Sequence, residues 1–292
     1  MNKLTLSAIA LAATAFAFPA WADPVPSAVD AMIRAAGKDV DTIAKVAKTA
    51  HPNSAKEIDA LVASLADQRE VERTERLARA GIFDAWSGNG ELGVNYTTGN
   101  TKDFGVMAGV SLMKDGLTFR HKLNGLMDRR KSNGVLTSNR AMAGYELNYK
   151  FNEQIYAYGL GSWERNTFAG FTRRFTESVG AGYQVFKNDD MYLELTAGPA
   201  FQQTRYVDGR SDRDISARAG LDFGWEFVDD VMLTEKAAIL IGSQWTSTTA
   251  VTFALIDALS ARASFDVIHE NNPLVGRKAT DTASRLSLVY GF

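Results

Sequence analysis

Apolar and polar residues alternate with a period of two through most of the chain after residue 85. In the closing segment 285–292, every second residue is Leu, Tyr or Phe, and Arg, Ser, Val and Gly occupy the other positions. A period of two places alternate side chains on opposite faces of a β-strand. Several alternating runs reach the about 9–11 residues that a tilted strand needs to cross a bilayer, whereas strands of soluble proteins average about 5–6. The pattern favours an all-β fold of long strands, each with one apolar face.

The alternating segments predict about twelve strands. They lie near 87–98, 102–113, 117–129, 137–150, 154–165, 172–186, 190–204, 213–227, 231–242, 248–256, 258–269 and 280–292. The ninth has the weakest alternation, because Glu235 and Lys236 interrupt it. An even strand count brings both ends of a barrel to the same side of a membrane. We therefore predict a transmembrane antiparallel up-and-down β-barrel over 86–292, with short turns at the end where the chain enters and leaves and generally longer connections at the other.

The first 22 residues have the three parts of a secretory signal in order. Lys3 supplies the positive charge, residues 4–18 form an apolar run, and Ala20 and Ala22 place small residues at both positions of a cleavage site. Signal peptides of this kind are removed on export. We predict a signal peptide over 1–22 and a mature chain that starts at Asp23.

Residues 23–85 have helical rather than strand periodicity. Val40, Ile43, Ala44 and Ala47 recur at the spacing of one helix face, and 68–79 is mostly charged. Such spacing is typical of an amphipathic helix. We predict a small helical periplasmic segment that acts as a module or tether. Two alternatives stay open: it docks a periplasmic partner, or it plugs the mouth of the barrel.

Composition excludes several classes of function. The net charge of −2 argues against nucleic-acid binding, which requires a basic surplus. Cysteine is absent, which removes disulfides and thiolate chemistry. His51, His121 and His269 are scattered along the sequence, so no catalytic arrangement or metal site is indicated. We predict a non-enzymatic protein without a cofactor, and an outer-membrane hydrolase is the minor alternative.

Two stretches carry a family resemblance. Residues 86–101 (WSGNGELGVNYTTGNT) and the closing part, with 271–273 and 290–292 as its marks, resemble the family of salt-induced outer-membrane proteins, a domain-of-unknown-function β-barrel family. The likeness covers about 86–292. It implies a porin-like barrel in the outer membrane of a Gram-negative bacterium, surrounded by outer-membrane lipid, and an association with salt. The last strand also resembles the C-terminal signal for the barrel assembly machinery, carried here by Leu286, Leu288, Tyr290 and Phe292.

The polar face of the predicted strands collects charged residues of both signs. The candidate lumen-lining residues are Glu91, Arg120, Lys122, Asp128, Arg140, Glu146, Glu194, Arg218, Asp222, Glu226, Arg262, Asp266 and Arg285. Barrels of eight strands are filled by side chains, while those of 16–18 strands hold an aqueous channel. Twelve strands lie between, so two hypotheses stay open: a small passive diffusion pore, or a barrel closed by paired charges that serves as an anchor for a periplasmic partner.

Overall fold

A computed structural model describes residues 24–79, 81, 84–97, 103–273, 275–276 and 278–292. The predicted signal peptide lies outside the described residues. The chain divides into two compact units, Met1–Arg76 and Leu77–Phe292.

The first unit is helical. Its elements are α1 (Ser27–Ala35), α2 (Val40–Ala50) and the start of α3 (Ala55–Arg79), joined by short 3₁₀ turns at Gly37–Asp39 and Pro52–Ser54. The apolar faces meet in a small core of Ile33, Ala44, Ala47, Ile58 and Leu65. Among the described residues, no helix is both long and apolar enough to cross a membrane. The helical periodicity of the sequence therefore corresponds to a unit with a core of its own.

The second unit is a closed β-barrel. Its strands are β1 (Ser87–Thr97), β2 (Asp103–Asp115), β3 (Phe119–Ser132), β4 (Val135–Lys150), β5 (Ile155–Asn166), β6 (Phe171–Lys187), β7 (Met191–Tyr206), β8 (Ser211–Val228), β9 (Val231–Leu240), β10 (Gln244–Ile256), β11 (Leu259–Glu270) and β12 (Thr280–Gly291). Each strand pairs with its neighbours in sequence, and β1 pairs with β12. The pairing is antiparallel throughout. The predicted twelve-stranded antiparallel barrel after a helical segment is confirmed.

The connections at the two ends differ less in length than predicted. At the terminal end, where β1 begins and β12 ends, strands are joined by 116–118, 151–154, 188–190, 229–230 and 257–258. At the opposite loop end, the described connections 133–134, 167–170, 207–210 and 241–243 are equally short, and 271–279 is longer. The loop-end connections are shorter than predicted because the strands continue further, and 271–279 keeps the predicted difference between the two ends. Asn133 and Gly134 have φ of 49° and 82°, the conformation of a two-residue hairpin turn, which glycine adopts without strain.

Apolar side chains cover the outside of the barrel. Ile215 is 83% exposed and Leu286 75% exposed. Phe104, Val106 and Val110 of β2 are likewise exposed, in step with the period of two. In a soluble protein most side chains of this kind are buried in the core. Here they are exposed, so the outer surface of the barrel is apolar.

Glu235 is a polar exception on this outer face, and its neighbours explain it. It pairs with Phe223 of β8 and Thr249 of β10. Ser247 Oγ donates to Glu235 Oε1 at 2.7 Å, and Thr249 Oγ1 donates to Oε2 at 2.5 Å. Hydroxyl groups of the next strand thus satisfy the carboxylate, and β9 forms despite the interrupted alternation.

The core of the helical unit provides a stability test. Because Ile58 is fully buried, Ile58→Ala leaves a cavity that should cost the helical unit about 2–4 kcal/mol. We expect faster hydrogen exchange in α1 and α2 and unchanged exchange in the strands. The exposed Val46→Ala is the matched control and should leave exchange unaltered. Equal loss of protection in the barrel would contradict the separation into two units.

Candidate functional site in the barrel interior

The alternation of the strands places polar residues inside the barrel, and some of these join strands that are not neighbours. Arg120 of β3 donates two hydrogen bonds to Glu194 of β7, at 2.5 and 3.1 Å. Four strand positions separate β3 from β7 in the ring. Because the sheet is closed, this contact runs through the interior.

Glu194 is the centre of a cluster near the terminal end. Lys122 Nζ and the Tyr156 hydroxyl both donate to Glu194 Oε2, each at 3.1 Å. The guanidinium of Arg120 lies 4.9 Å from the centre of the Tyr156 ring. Lys122 also lies 3.8 Å from Glu146. The Glu194 side chain is only 9% exposed. These donors take the place of the water molecules that the carboxylate loses on burial.

Arg174 forms a second connection across the interior, nearer the loop end. It donates to Glu270 of β11 at 2.6 and 3.0 Å and to Gln244 at 2.6 Å. Its guanidinium lies 4.0 Å from the ring centre of Phe171, which is itself buried. Two parallel N–H···O bonds to one carboxylate fix the arginine in direction as well as position. This pair joins β6 to β11, almost opposite each other in the ring.

A third cluster joins β12 to β3 and β11. Arg285 donates to Asp128 at 3.2 and 3.3 Å and also to Asp266. Arg130 shares Asp128, with distances of 3.2 and 3.3 Å. Thr248 donates to Asp266 at 2.7 Å. Two arginines and two aspartates therefore balance each other inside the barrel.

Most remaining candidates have partners within the wall. Arg262 lies 3.6 Å from Glu91, Arg140 2.8 Å from Glu164, and Lys236 3.6 Å from Asp222. Arg218 donates to Thr196 at 3.3 Å. Glu226 differs, because it is exposed beside a turn and accepts the Asp230 amide at 3.2 Å. The structure thus gathers the predicted residues into several small groups rather than one centre.

The sequence prediction missed Tyr192, whose hydroxyl donates to Asp222 at 3.1 Å. It also missed Arg130, Tyr156, Glu164, Arg174, Lys236 and Glu270. Arg130, Tyr192 and Glu270 lie an even number of residues from predicted interior residues of the same strands, so the alternation itself is the signal that includes them. In β5, Tyr156 and Tyr158 are buried on the inner face while Gly159 occupies the outer face, so the apolar period does not distinguish the two faces of that strand.

A cavity of about 400 Å³ lies inside the barrel. Its lining includes Lys122 and Glu194 from the cluster near the terminal end and Arg174 from the connection nearer the loop end. Asp222 and Asp266 add acidic groups. A polar cavity of this size holds several water molecules, and its lining of mixed sign suits small ions of either charge.

Two histidines and the proposed assembly residues, which the sequence analysis also named, lie on the outer face. His121 contacts the Tyr145 hydroxyl at 2.9 Å, and His269 contacts the Thr280 hydroxyl at 2.8 Å and stacks on Trp245. Within the described ranges, no group of three or more His, Asp or Glu is placed to hold a metal. The proposed assembly residues are exposed on β12 and at the position directly after it, namely Leu286, Leu288, Tyr290 and Phe292.

The cluster around Glu194 should be a main contributor to barrel stability. Glu194→Gln removes the charge that pairs with Arg120 and Lys122, and breaking a buried pair from one side costs about 3 kcal/mol. We expect a lower urea midpoint for barrel unfolding in detergent micelles. The exposed Glu226→Gln is the control and should change the free energy of unfolding by less than about 0.5 kcal/mol, which leaves the urea midpoint almost unaltered. Equal midpoints for the two variants would show that the cluster is not stabilising.

Several solved structures are similar to this chain. Its fold is similar to the NanC porin (10% identity, TM-score 0.43, covering 70% of this chain and 98% of that one). It is also similar to the KdgM porin in complex with disordered oligogalacturonate (13%, 0.40, 70% and 99%). An outer membrane channel from Pseudomonas putida F1 is a third similar structure (11%, 0.43, 73% and 100%).

No curated protein matches the chain. The family model described as "Protein of unknown function, DUF481" matches residues 90–292. This stretch covers nearly the whole barrel, from the fourth residue of β1 to the last residue of the chain. The chain belongs to the DUF481 family.

Proposed function

We propose that this chain is an integral outer-membrane β-barrel of a Gram-negative bacterium. The observation that carries the proposal is a closed sheet whose outer face is apolar, with residues such as Ile215 and Leu286 exposed. In hydrocarbon a backbone amide needs a partner within the protein, and the pairing of neighbouring strands around the barrel provides one for most of them. An apolar belt of this kind is stable next to acyl chains and unfavourable in water.

Within the membrane, the barrel serves as a narrow passive diffusion pore. The connections Arg120–Glu194 and Arg174–Glu270 cross the bore, and the cavity of about 400 Å³ touches both. Side chains that cross the bore restrict passage to water and small ions. The lining carries both signs, so no strong preference for anions or cations is expected. The resemblance of 86–101 to the salt-induced family supports the further proposal that this pore serves the envelope under salt stress.

Single-channel recording tests the pore. The purified chain in planar bilayers should give small, ohmic conductance steps. Arg174→Ser removes the Arg174–Glu270 connection from the bore. The conductance steps of this variant should be larger than those of the wild type by about two-fold or more, because the width and the electric field of a constriction determine how many ions pass. Arg173→Ser is the matched control, because Arg173 is exposed on the adjacent position of the same strand, and its steps should equal those of the wild type. Bilayers without steps for any of the three proteins would refute the pore.

A second candidate function is an anchoring barrel that docks a periplasmic partner through residues 23–85. The observation in its favour is the separate core of the helical unit around Ile33 and Ile58, which gives that unit a fold of its own. A docking module needs such a fold, whereas a simple tether does not.

Deletion of 23–85 behind an intact signal peptide separates these roles. If the segment docks a partner, the truncated barrel should assemble and conduct as the full chain does, and co-purified periplasmic protein should be lost. If the segment plugs the mouth, the conductance should rise instead. Failure of the truncated barrel to reach the outer membrane would contradict both and favour a role in assembly.

A further inference from the structure

Between β1 and β12 both strands continue beyond the residues that pair across the wall of the barrel. Backbone pairing across this seam runs from Asn89 opposite Gly291 to Gly93 opposite Ser287. β1 continues to Thr97, paired with β2 over its whole length. β12 likewise stays paired with β11 up to Thr280. Among the described strand residues, those beyond Gly93 and Ser287 therefore have no partner across the seam, and the wall is open toward the loop end.

A cavity of about 460 Å³ lies at this opening. Its lining includes Val94, Val106 and Leu286, which are exposed on the outer face, and also Met107 and Arg285, which belong to the inner face. A pocket confined to one side of the sheet would touch one of these sets only. The cavity therefore passes through the wall and connects the interior with the surface that faces the membrane.

The opening changes from apolar to charged along its length. A second cavity of about 270 Å³ on the inner side shares Asp128, Arg130 and Arg285 with the first. Arg285 is held by Asp128 and Asp266 together. Arg130 has Asp128 as its carboxylate partner at 3.2 Å, and its side chain is 36% exposed. The guanidinium of Arg130 therefore has further N–H groups that can donate hydrogen bonds to an anionic group.

An open seam at membrane depth requires an occupant. Unpaired backbone at membrane depth is tolerated where it lines a water-filled cavity, so its amides bind water from the polar interior, whereas the apolar outer lining needs an apolar contact. Water alone fits poorly against Val94, Val106 and Leu286. A molecule with an apolar chain and a charged head satisfies both parts, because its chain covers the apolar lining and its head reaches the arginines.

We propose that the β1–β12 seam is a lateral binding site for an amphiphile with a single acyl chain and an anionic head, of the fatty-acid class. The chain enters from the membrane between Val94 and Leu286, and the head binds Arg130 on the inner side. The site rests on the membrane location proposed above, but it does not depend on ion conductance through the bore.

Photolabelling tests the site in the full chain. The protein is reconstituted in phosphatidylcholine vesicles that contain a fatty acid with a diazirine on its acyl chain, and labelled residues are mapped by mass spectrometry. Met107 is the diagnostic residue, because it lines the opening from the inner face and is buried. Lipid around the barrel cannot reach it. We expect label on Met107 as well as on outer-face residues.

Two variants close the seam in different ways, and each has a matched control. The chain lacks cysteine, so a disulfide in Val94→Cys/Leu286→Cys locks the open part. Leu92→Cys/Leu288→Cys is the control for this disulfide, because it links two residues that already pair across the seam on the terminal-end side of the opening. Ala263→Trp fills the opening, and Ala261→Trp places the same ring two positions along β11, opposite Leu288. The Ala263 variant carries the test if the upper disulfide does not form.

Labelling of Met107 should fall at least about tenfold in the locked or filled variants, equivalent to about 1.4 kcal/mol of binding, and stay unchanged in both controls. Label confined to the outer face, or Met107 labelling that neither variant reduces, would overturn the lateral site while leaving the membrane location intact. A chain without label on any outer-face residue would refute the membrane location itself, and the site with it.

Discussion

Closure of the backbone hydrogen-bond ring is the constraint on which the rest of the structure depends. Once β12 returns to β1, each strand has two neighbours, and the period-two alternation divides most side chains between an apolar outside and a polar inside. Long strands follow from the same constraint, because a tilted wall must span the hydrocarbon thickness. The contact from Asn89 to Gly93 is the shortest paired stretch of the ring.

The charged interior follows from closure and also reinforces it. Arg120 and Glu194, or Arg174 and Glu270, lie on strands far apart in the ring, so each pair fixes the cross-section of the barrel as well as filling it. Charges inside a low-dielectric wall are tolerated only when they are paired and hydrogen-bonded. In the pore that we propose, side chains held across the bore restrict the passage of ions, which connects the stability of the wall with the proposed selectivity for size.

Much of the fold could be predicted from alternation, and less of the site. The strands from β1 to β12 were placed within a few residues, because an apolar face repeats at every second position. β10 was an exception and starts at Gln244 rather than 248, since Trp245 and its polar neighbours give a short, ambiguous run. Among interior residues, Glu194 and Asp128 lie on strands whose apolar face is clear from the sequence. Glu164 lies on β5, where Tyr156 and Tyr158 face the interior and Gly159 faces outward, so the apolar period does not tell the two faces apart.

The sequence by itself determined the number of strands, their antiparallel order and the separation into helical and β-barrel parts, because periodicity is a local property that each segment carries alone. Only the tertiary structure decided which charges meet. Arg285 and Asp128 are far apart in sequence and three strands apart in the ring, and their contact depends on the curvature and stagger of the closed sheet. The same holds for the open part of the β1–β12 seam, since register between the first and last strands is set by the whole ring.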